Sequence, residues 1–382
     1  MPHLTTHEEL RDRILTLAGI VESPTPFVSC YLNLQSGKAS ALKTMQRRAN
    51  LLRRVLNGKD LDDFEESVGC IKTYINKYLL PETKGLAFFA RSNFEKEFYM
   101  PLQFAVPLPD NLRIYPTPNI FNLIKLKDTY ERYLVMVATK EWVRIIEVNL
   151  GAISVQAWSE NPALRERVGQ EWSETQYQLY HHNREESFLG EIIQILQELL
   201  DYGDHNHLII AGDPEITACI RKVLPESLIS KLMDTIPTSL RDSETDIIEA
   251  TLSILVEQEE QESRSVVERL IHHIQTQGLA VIGAKDCLDR LQCGEVDTLI
   301  ILQSYNPDPV WLCSSCNKTI ETAPEFNICP NCNSTTVSAI DLREELVRQA
   351  GQKDCPVEVV EHSEALIELG GVGCLLRFRT DL

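Results

Sequence analysis

The sequence predicts an α/β protein with α+β elements, in which three domains contain mixed sheets flanked by helices. Its 382 residues exceed the size of one compact domain, which is about 100–200 residues. Short apolar runs that are typical of strands alternate with amphipathic patterns that are typical of helices. A cluster of four cysteines near the end of the chain indicates a small module inserted in the last domain.

The first predicted domain covers residues 1–126. It begins with an amphipathic helix within residues 1–22, for which Thr6 is the expected N-cap and Glu8 and Glu9 supply acidic residues in the first turn. The other predicted elements are a strand at Phe27–Leu32, helices at Leu42–Leu56 and about 61–79, and strands at Gly85–Ala90 and 99–106.

The second predicted domain covers residues 127–250 and starts with strands separated by short turns. Asp213 followed by Pro214 predicts a helix start, with aspartate as N-cap and proline in the first turn. The elements before this helix are strands at Leu134–Ala138, Val143–Val148 and Ile153–Ala157, a polar loop, a long helix over about 174–201, and a strand at His207–Gly212.

The third predicted domain covers residues 251–382, and a helix over about Thr245–Gln277 leads into it. Gly278 and Gly294 are the expected C-caps of this helix and of the next one. The predicted elements are strands at Leu279–Ile282 and Thr298–Leu302 around a helix at Ala284–Gln292, a zinc ribbon at 311–335, and then a strand at Val357–Val360, a helix at Glu364–Leu369 and a strand at Cys374–Phe378.

The four clustered cysteines form two CxxC pairs separated by 12 residues, namely Cys313, Cys316, Cys329 and Cys332. This spacing is typical of a closed, tetrahedral structural zinc site, and no histidine or carboxylate stands out as an open-site ligand. Asn317 and Asn333 each follow a second cysteine, where a tight left-handed turn is expected. Free thiols or a redox pair are the alternative interpretation.

The formal net charge of −19 argues against a protein that wraps DNA, and no apolar run is long enough for a membrane span. No signal peptide is recognisable, so we expect a cytoplasmic protein that acts without a membrane or DNA. No acidic residue occurs between Glu22 and Asp60. The cations in this interval, here called the basic island, are candidate RNA-phosphate contacts: Lys38, Lys43, Arg47, Arg48, Arg53, Arg54 and Lys59. A solvated helix face is the alternative interpretation.

The polar loop of the second domain contains Gly169-Gln170. Arg165, Arg167 and Arg184 flank this pair, and aromatic residues are interleaved with them, a combination that is often found where proteins contact RNA. An ordinary exposed loop would have the same composition.

The order of these segments resembles the archaeal and eukaryotic class I peptide chain release factor and Pelota family, as a divergent member of bacterial type. The resemblance is carried by the loop that leads to a long helix and to Ile209-Ile-Ala-Gly212, and by Gly278-Leu-Ala-Val-Ile-Gly283. The four cysteines and the terminal Leu369-Gly-Gly-Val-Gly-Cys-Leu-Leu-Arg-Phe378 follow in the order of the family. The resemblance is looser in the first third of the chain, where the stop-codon-reading motifs of the family are absent.

The resemblance implies a tRNA-shaped ligand of the ribosomal A site that contacts rRNA and tRNA, with a translational GTPase as a candidate partner. In the family, a Gly-Gly-Gln loop positions water against the peptidyl-tRNA ester, and Gly169 and Gln170 match its last two residues. Val168 stands at the first glycine position, and a β-branched residue resists the positive φ values that glycine adopts.

Three functions therefore remain open at the level of sequence. The first is a factor that binds the A site in rescue, hibernation or quality control. The second is a peptidyl-tRNA hydrolase that acts through Gly169 and Gln170, an activity that Val168 would weaken or abolish. The third is a zinc-stabilised scaffold outside translation, because a fold by itself does not determine function.

Overall fold

In the computed structural model, the described residues are 2–20, 27–92, 97–139, 142–160, 190–201, 205–238, 243–307, 310–313, 315–316, 319–320, 328–335 and 337–378. The chain divides into two compact units. The first unit combines residues 1–129 with residues 259–382, and the second is residues 130–258.

Helices and strands are numbered in chain order. The helices are α1 (His7–Ala18), α2 (Lys38–Leu52), α3 (Gly58–Tyr78), α4 (Phe121–Thr129), α5 (190–201), α6 (Pro214–Val223), α7 (Glu226–Ile229), α8 (Glu244–Gln275), α9 (Ala284–Cys293), α10 (Leu342–Gln352) and α11 (Glu364–Glu368). The strands are β1 (Phe27–Asn33), β2 (Gly85–Arg91), β3 (Phe98–Phe104), β4 (Asn111–Tyr115), β5 (Tyr133–Ala138), β6 (Trp142–Asn149), β7 (Ala152–Glu160), β8 (His207–Gly212), β9 (Leu232–Pro237), β10 (Ala280–Ile282), β11 (Val296–Leu302), β12 (Val310–Cys313), β13 (Thr319–Ile320), β14 (Val337–Ile340), β15 (Val357–Val360) and β16 (Val372–Leu376).

The first sheet of the first unit has the order β3-β2-β1-β4, and all of its strand pairs are antiparallel. β2 is buried along its whole length, as is β1 except for its last residue, which explains why both read as continuous apolar runs. Helices α2 and α3 cover one face, where Met45, Phe64 and Ile71 are fully buried against the strands. Burial of these side chains is the main stabilising contribution of this layer.

The second sheet of this unit has the order β10-β16-β11-β15 and is mixed, because β15 runs parallel to β11 and the other pairs are antiparallel. The C-terminal part of α8 packs on it through Val267 and Leu270. A separate sheet with the order β13-β12-β14 carries the cysteines and lies in the chain between β11 and α10. The predicted insertion of this module is therefore confirmed.

The two terminal segments of the chain are joined within the first unit by polar contacts. The Glu344 carboxylate on α10 accepts hydrogen bonds from the N–H groups of Ile120 (2.8 Å) and Phe121 (3.2 Å) at the start of α4. Arg113 forms a 3.0 Å ion pair with Asp341, the N-cap of α10. The first unit therefore contains both segments that the sequence predicts as separate terminal domains.

The second unit has one sheet among its described residues, with the order β7-β6-β5-β8-β9. Its pairs β5–β8 and β8–β9 are parallel, and its two hairpin pairs are antiparallel. One face packs against α5, α6 and α7, and the other packs against the N-terminal part of α8 through Ile247 and Leu255. The Asp213 side chain accepts from the N–H of Glu215, which confirms the predicted start of α6.

The structure confirms the mixed α/β class but differs from the sequence at several elements. The predictions omit α4, α7, α10, β4 and β9. At the end of α8, the left-handed residue is Gln277 (φ 54°) and not the expected Gly278. A Cβ at Gly278 would lie 2.5 Å from Nδ1 of His273, so a larger residue there would force that side chain to move. Gly294 adopts the left-handed conformation, as predicted.

The first prediction concerns Gly212 at the end of β8. A Cβ at this position would lie 1.9 Å from the carbonyl oxygen of Ala138 on the paired strand β5. We expect Gly212→Ala to lower the free energy of unfolding of the second unit by about 1–3 kcal/mol, since the strands would have to separate. Chemical denaturation measures this change. Gly190→Ala is the control, because a Cβ there would have no atom of a described residue within 4 Å, and equal losses in both variants would contradict the prediction.

The second prediction concerns Glu344. Burial, with a smaller contribution from Asp341, raises the pKa of its carboxyl group to about 7, above the ordinary value of 4.5. The unfolded chain therefore releases this proton at lower pH than the folded chain. We expect Glu344 to make the free energy of unfolding fall as pH rises from about 4.5 to 7 and to have no further effect above that range.

Denaturation across this pH range tests the effect. Glu344→Gln, which cannot ionise, should remove that part of the slope, whereas Glu368→Gln on the exposed side of α11 should retain it. An unchanged slope in Glu344→Gln would show that Glu344 does not titrate in this range.

Candidate functional site

The four clustered cysteines lie together in the small three-stranded sheet. Their sulfur atoms are all within 4.8 Å of one another, and the distances are 3.6 Å for Cys313–Cys332 and 3.7 Å for Cys316–Cys329. In a tetrahedral site with Zn–S bonds of about 2.3 Å, neighbouring sulfurs lie about 3.8 Å apart. The geometry of the cluster therefore suits one zinc-sized ion.

The cysteine cluster favours a thiolate at Cys313. Burial opposes ionisation of this thiol, but hydrogen bonds from the N–H groups of Cys316 and Ser315, together with those from Cys332 and Cys329, lower its pKa to about 6. For Cys332, a main-chain hydrogen bond at Ser334 favours ionisation, but burial and the three neighbouring thiols raise its pKa to about 12. The turn after Cys332 closes through Asn333, whose φ of 57° is the predicted left-handed conformation. Cys313 and Cys329 are buried, as expected of a site that stabilises the fold rather than one that exposes a metal to substrate.

Sequence reasoning missed a second group of potential ligands. Asp128, Glu259 and Glu358 contribute carboxylate oxygens that lie within 4.8 Å of one another. Asp128 accepts a 2.7 Å hydrogen bond from the N–H of Val359, and Ser263 donates to Glu358. Three distant segments of the chain supply these residues, so no local pattern in the sequence could have indicated the group.

The seven cations of the basic island have different surroundings in the structure. Lys43, Arg47 and Arg54 are exposed and follow one another at helical spacing along α2 and the turn after it, and Lys59 is exposed at the start of α3. Arg53 forms an ion pair with Glu65, and among the described residues no other cation of the seven makes an ion pair. Arg53 is therefore not available for phosphate in this conformation.

The other two cations of the island have different surroundings. The Lys38 ammonium donates to the carbonyl oxygen of Asn76 on α3 at 3.2 Å. Arg48 is half-buried, and its Nε is buried without a hydrogen-bond partner in the described part of the chain. The exposed residues form what we call the α2 face, namely Lys43, Arg47 and Arg54 together with Leu51 and Val55, whose exposed fractions are 58% and 71%. This face combines exposed positive charge with apolar surface.

The Gly-Gln loop lies outside the described residues. This applies to Arg165, Arg167, Val168, Gly169, Gln170 and Arg184. In the order of the chain, the segment stands between β7 and α5.

None of the helices in the described part of the chain offers an apolar stretch long enough to cross a lipid bilayer.

Two family models match this chain over adjacent segments. The model described as Bacterial archaeo-eukaryotic release factor family 10 matches residues 118–255. The model described as eRF1 domain 3 matches residues 260–380. The second match covers α9, the cysteine module and β16, and the first covers the sheet of the second unit.

Curated relatives and a solved structure are similar to this chain over nearly its full length. The chain is 24% identical over 412 residues to peptide chain release factor subunit 1 of Thermococcus sibiricus, with 97% of each protein covered. It is 22% identical over 420 residues to the protein of that name from Pyrococcus abyssi, covering 98% of this chain and 100% of the relative. A model of ribosome-bound archaeal Pelota and ABCE1 contains a similar chain, with 15% identity, a TM-score of 0.44 and 97% and 95% of the two chains covered.

The matched segments account for most of the second unit and for the C-terminal part of the first, including the motifs that suggested the resemblance in the sequence. The resemblance to the archaeo-eukaryotic release factor family that the sequence predicts is therefore confirmed over residues 118–255 and 260–380.

Proposed function

We propose that the protein is a translation factor of the release or rescue type that binds the ribosomal A site in rescue, hibernation or quality control. The observation that carries this proposal is the α2 face, where Lys43, Arg47 and Arg54 are exposed and have no acidic partner among the described residues. The resemblance to the release factor family supports it, because the curated relatives that match this chain over nearly its full length are named peptide chain release factor subunit 1.

The charge distribution favours a local contact with RNA. Salt limits the reach of surface charges to about 8 Å under physiological conditions, so the net charge of −19 acts weakly on a phosphate that already touches α2. Arg47 and Arg54 present guanidinium groups, and each such group can donate hydrogen bonds to two oxygens of one phosphate. Leu51 and Val55 add apolar area that a nucleoside can cover.

The remaining partners belong to the same proposal. The A site would supply rRNA and tRNA, with Arg165, Arg167 and Arg184 of the second unit as further cations. A translational GTPase is the proposed delivery partner, on the basis of the family alone.

The third prediction tests the α2 face by co-sedimentation with ribosomes over a series of salt concentrations. Each lost phosphate contact should reduce the slope of log K against log salt by about 0.7–0.9. We expect the triple variant of Lys43→Ala, Arg47→Ala and Arg54→Ala to reduce this slope by roughly 2 and to bind more weakly at every salt concentration.

The control for this experiment removes cations that already have acidic partners. Arg13 pairs with Glu9 and Arg264 with Glu260, both at helical i,i+4 spacing. The variant with alanine at both positions should keep the salt dependence of the unchanged protein. Equal slopes for the triple variant and the unchanged protein would remove the α2 face from the interface, and no binding at any salt concentration would favour the scaffold alternative.

We also propose that Cys313, Cys316, Cys329 and Cys332 bind a structural Zn²⁺, which would cross-link the hairpin of β12 to the turn before β14. The sulfur atoms of all four cysteines lie within 4.8 Å of one another, with separations of 3.6 and 3.7 Å in two pairs, and this geometry supports the proposal. The ion would stabilise the module and take no part in catalysis.

The fourth prediction follows from this zinc proposal. Elemental analysis of protein purified without chelator should find about one zinc per chain. Cys329→Ser should lower both the zinc content and the thermal stability of the first unit, because its buried sulfur is one of four ligands. Cys219→Ser replaces an exposed cysteine of α6 outside the cluster and should change neither quantity. Full stability in metal-free protein would contradict a structural role.

The fifth prediction separates binding from hydrolysis. We expect the protein to occupy ribosomes that carry peptidyl-tRNA without releasing the peptide, because Val168 cannot adopt positive φ without strain. Val168→Gly should raise any release, and adding Gln170→Ala should abolish the gain. Rapid release by the unchanged protein that disappears in Gln170→Ala would instead establish the hydrolase alternative.

A further inference from the structure

The residues between β4 and α4 meet the start of α10 at a small polar junction within the first unit. Asn119 is held there by its main chain, since its N–H donates to Oγ of Ser29 at 2.9 Å and its carbonyl oxygen accepts from the hydroxyl of Tyr31 at 2.5 Å. On the facing side, Oε2 of Glu344 accepts from the N–H groups of Ile120 and Phe121. Both residues are therefore fixed in position.

Each of these two residues has one buried polar side-chain atom without a partner. Nδ2 of Asn119 and Oε1 of Glu344 make no hydrogen bond to any described residue. The exposed fractions are 2% for Asn119 and 8% for Glu344, so bulk water does not compensate either atom. A buried polar atom that lacks a hydrogen bond costs roughly 1–3 kcal/mol, and most such atoms in native proteins are paired with protein or with ordered water.

A cavity lies at the same junction. Its lining includes Asn119 and Glu344 together with Tyr115, Ile340 and Asp341. The space in which the centre of a water molecule can lie measures about 20 Å³. One buried water needs about 10–15 Å³ by this measure, so the cavity has room for one water molecule.

We propose that one ordered water molecule binds in this cavity and bridges Asn119 to Glu344, accepting from Nδ2 of Asn119 and, when the Glu344 carboxyl group is ionised, donating to its Oε1. The chemistry of the two atoms selects the ligand. The amide hydrogens of Asn119 would repel a cation, and the carboxylate of Glu344 would repel an anion. Water can accept a hydrogen bond from the amide and donate one to the carboxylate at the same time.

The bridge has a structural consequence for the first unit. Glu344 already satisfies two main-chain N–H groups at the start of α4 through one of its oxygens. The water would use the other oxygen and join it to Asn119, two residues before α4. The contact between the two terminal segments of the chain would then contain a hydrated polar network rather than two uncompensated atoms.

A crystal structure of the unchanged protein, at a resolution that shows ordered water at other buried positions, tests the proposal directly. We expect one electron-density peak within hydrogen-bond distance of both Nδ2 of Asn119 and Oε1 of Glu344. An empty cavity, or direct contact between the two side chains, would overturn the proposal. A peak with the short distances and high coordination number of a metal ion would overturn it as well.

A variant adds a second readout. Asn119→Leu keeps the approximate size of the side chain but removes the donor, so the peak should disappear and the melting temperature should fall. Asn57→Leu is the matched control, because Asn57 is exposed and its side chain makes no capping hydrogen bond to α3, and it should leave the peak in place. An identical peak in Asn119→Leu would mean that Asn119 does not hold the water. If that variant does not fold, the structure of the unchanged protein still decides.

Discussion

The main-chain N–H groups at the start of α4 have no acceptor within their own helix, and the carboxylate of Glu344 supplies one from more than 200 residues further along the chain. At the start of α10, Asp341 also forms an ion pair with Arg113 of β4, the edge strand of the first sheet. The hydrogen bond from the N–H of Val359 to Asp128 is a further link between the same two segments. Together these contacts hold the sheet that α2 covers and the sheet that contains β15 within one unit.

Local signals in the sequence predict much of the fold because short-range chemistry specifies many of its elements. Thr6 and Asp213 accept hydrogen bonds from N–H groups at the start of their helices, and Gly294 takes the left-handed conformation. Helix α10 is absent from the predictions although Asp341 caps it and Glu344 stands in its first turn. Helix α4 begins with the sequence Phe-Asn-Leu-Ile, which has weak helical character, and it depends on the remote carboxylate of Glu344.

The candidate sites show the same division between local and remote information. The spacing of the four cysteines is a local property, and the structure brings all four sulfurs together. The basic island can also be recognised from the local sequence. Which of its cations are accessible cannot, because the pairing of Arg53 with Glu65 and the contact of Lys38 with α3 depend on how α2 and α3 pack. Charge counting over the sequence could identify seven cations but could not tell which of them remain accessible.

The discontinuity of the first unit has a consequence for the order in which the chain becomes structured during synthesis. Residues 130–258 are contiguous and contain all five strands of their sheet, so this unit can fold as soon as it has emerged. Within the first 129 residues, the N–H groups at the start of α4 lack their acceptor until α10 has been made. The core between the first sheet and helices α2 and α3 draws only on residues 28–114, so it needs no segment that is made later. The late step in the first unit is therefore the joining of its two segments at α4 and α10.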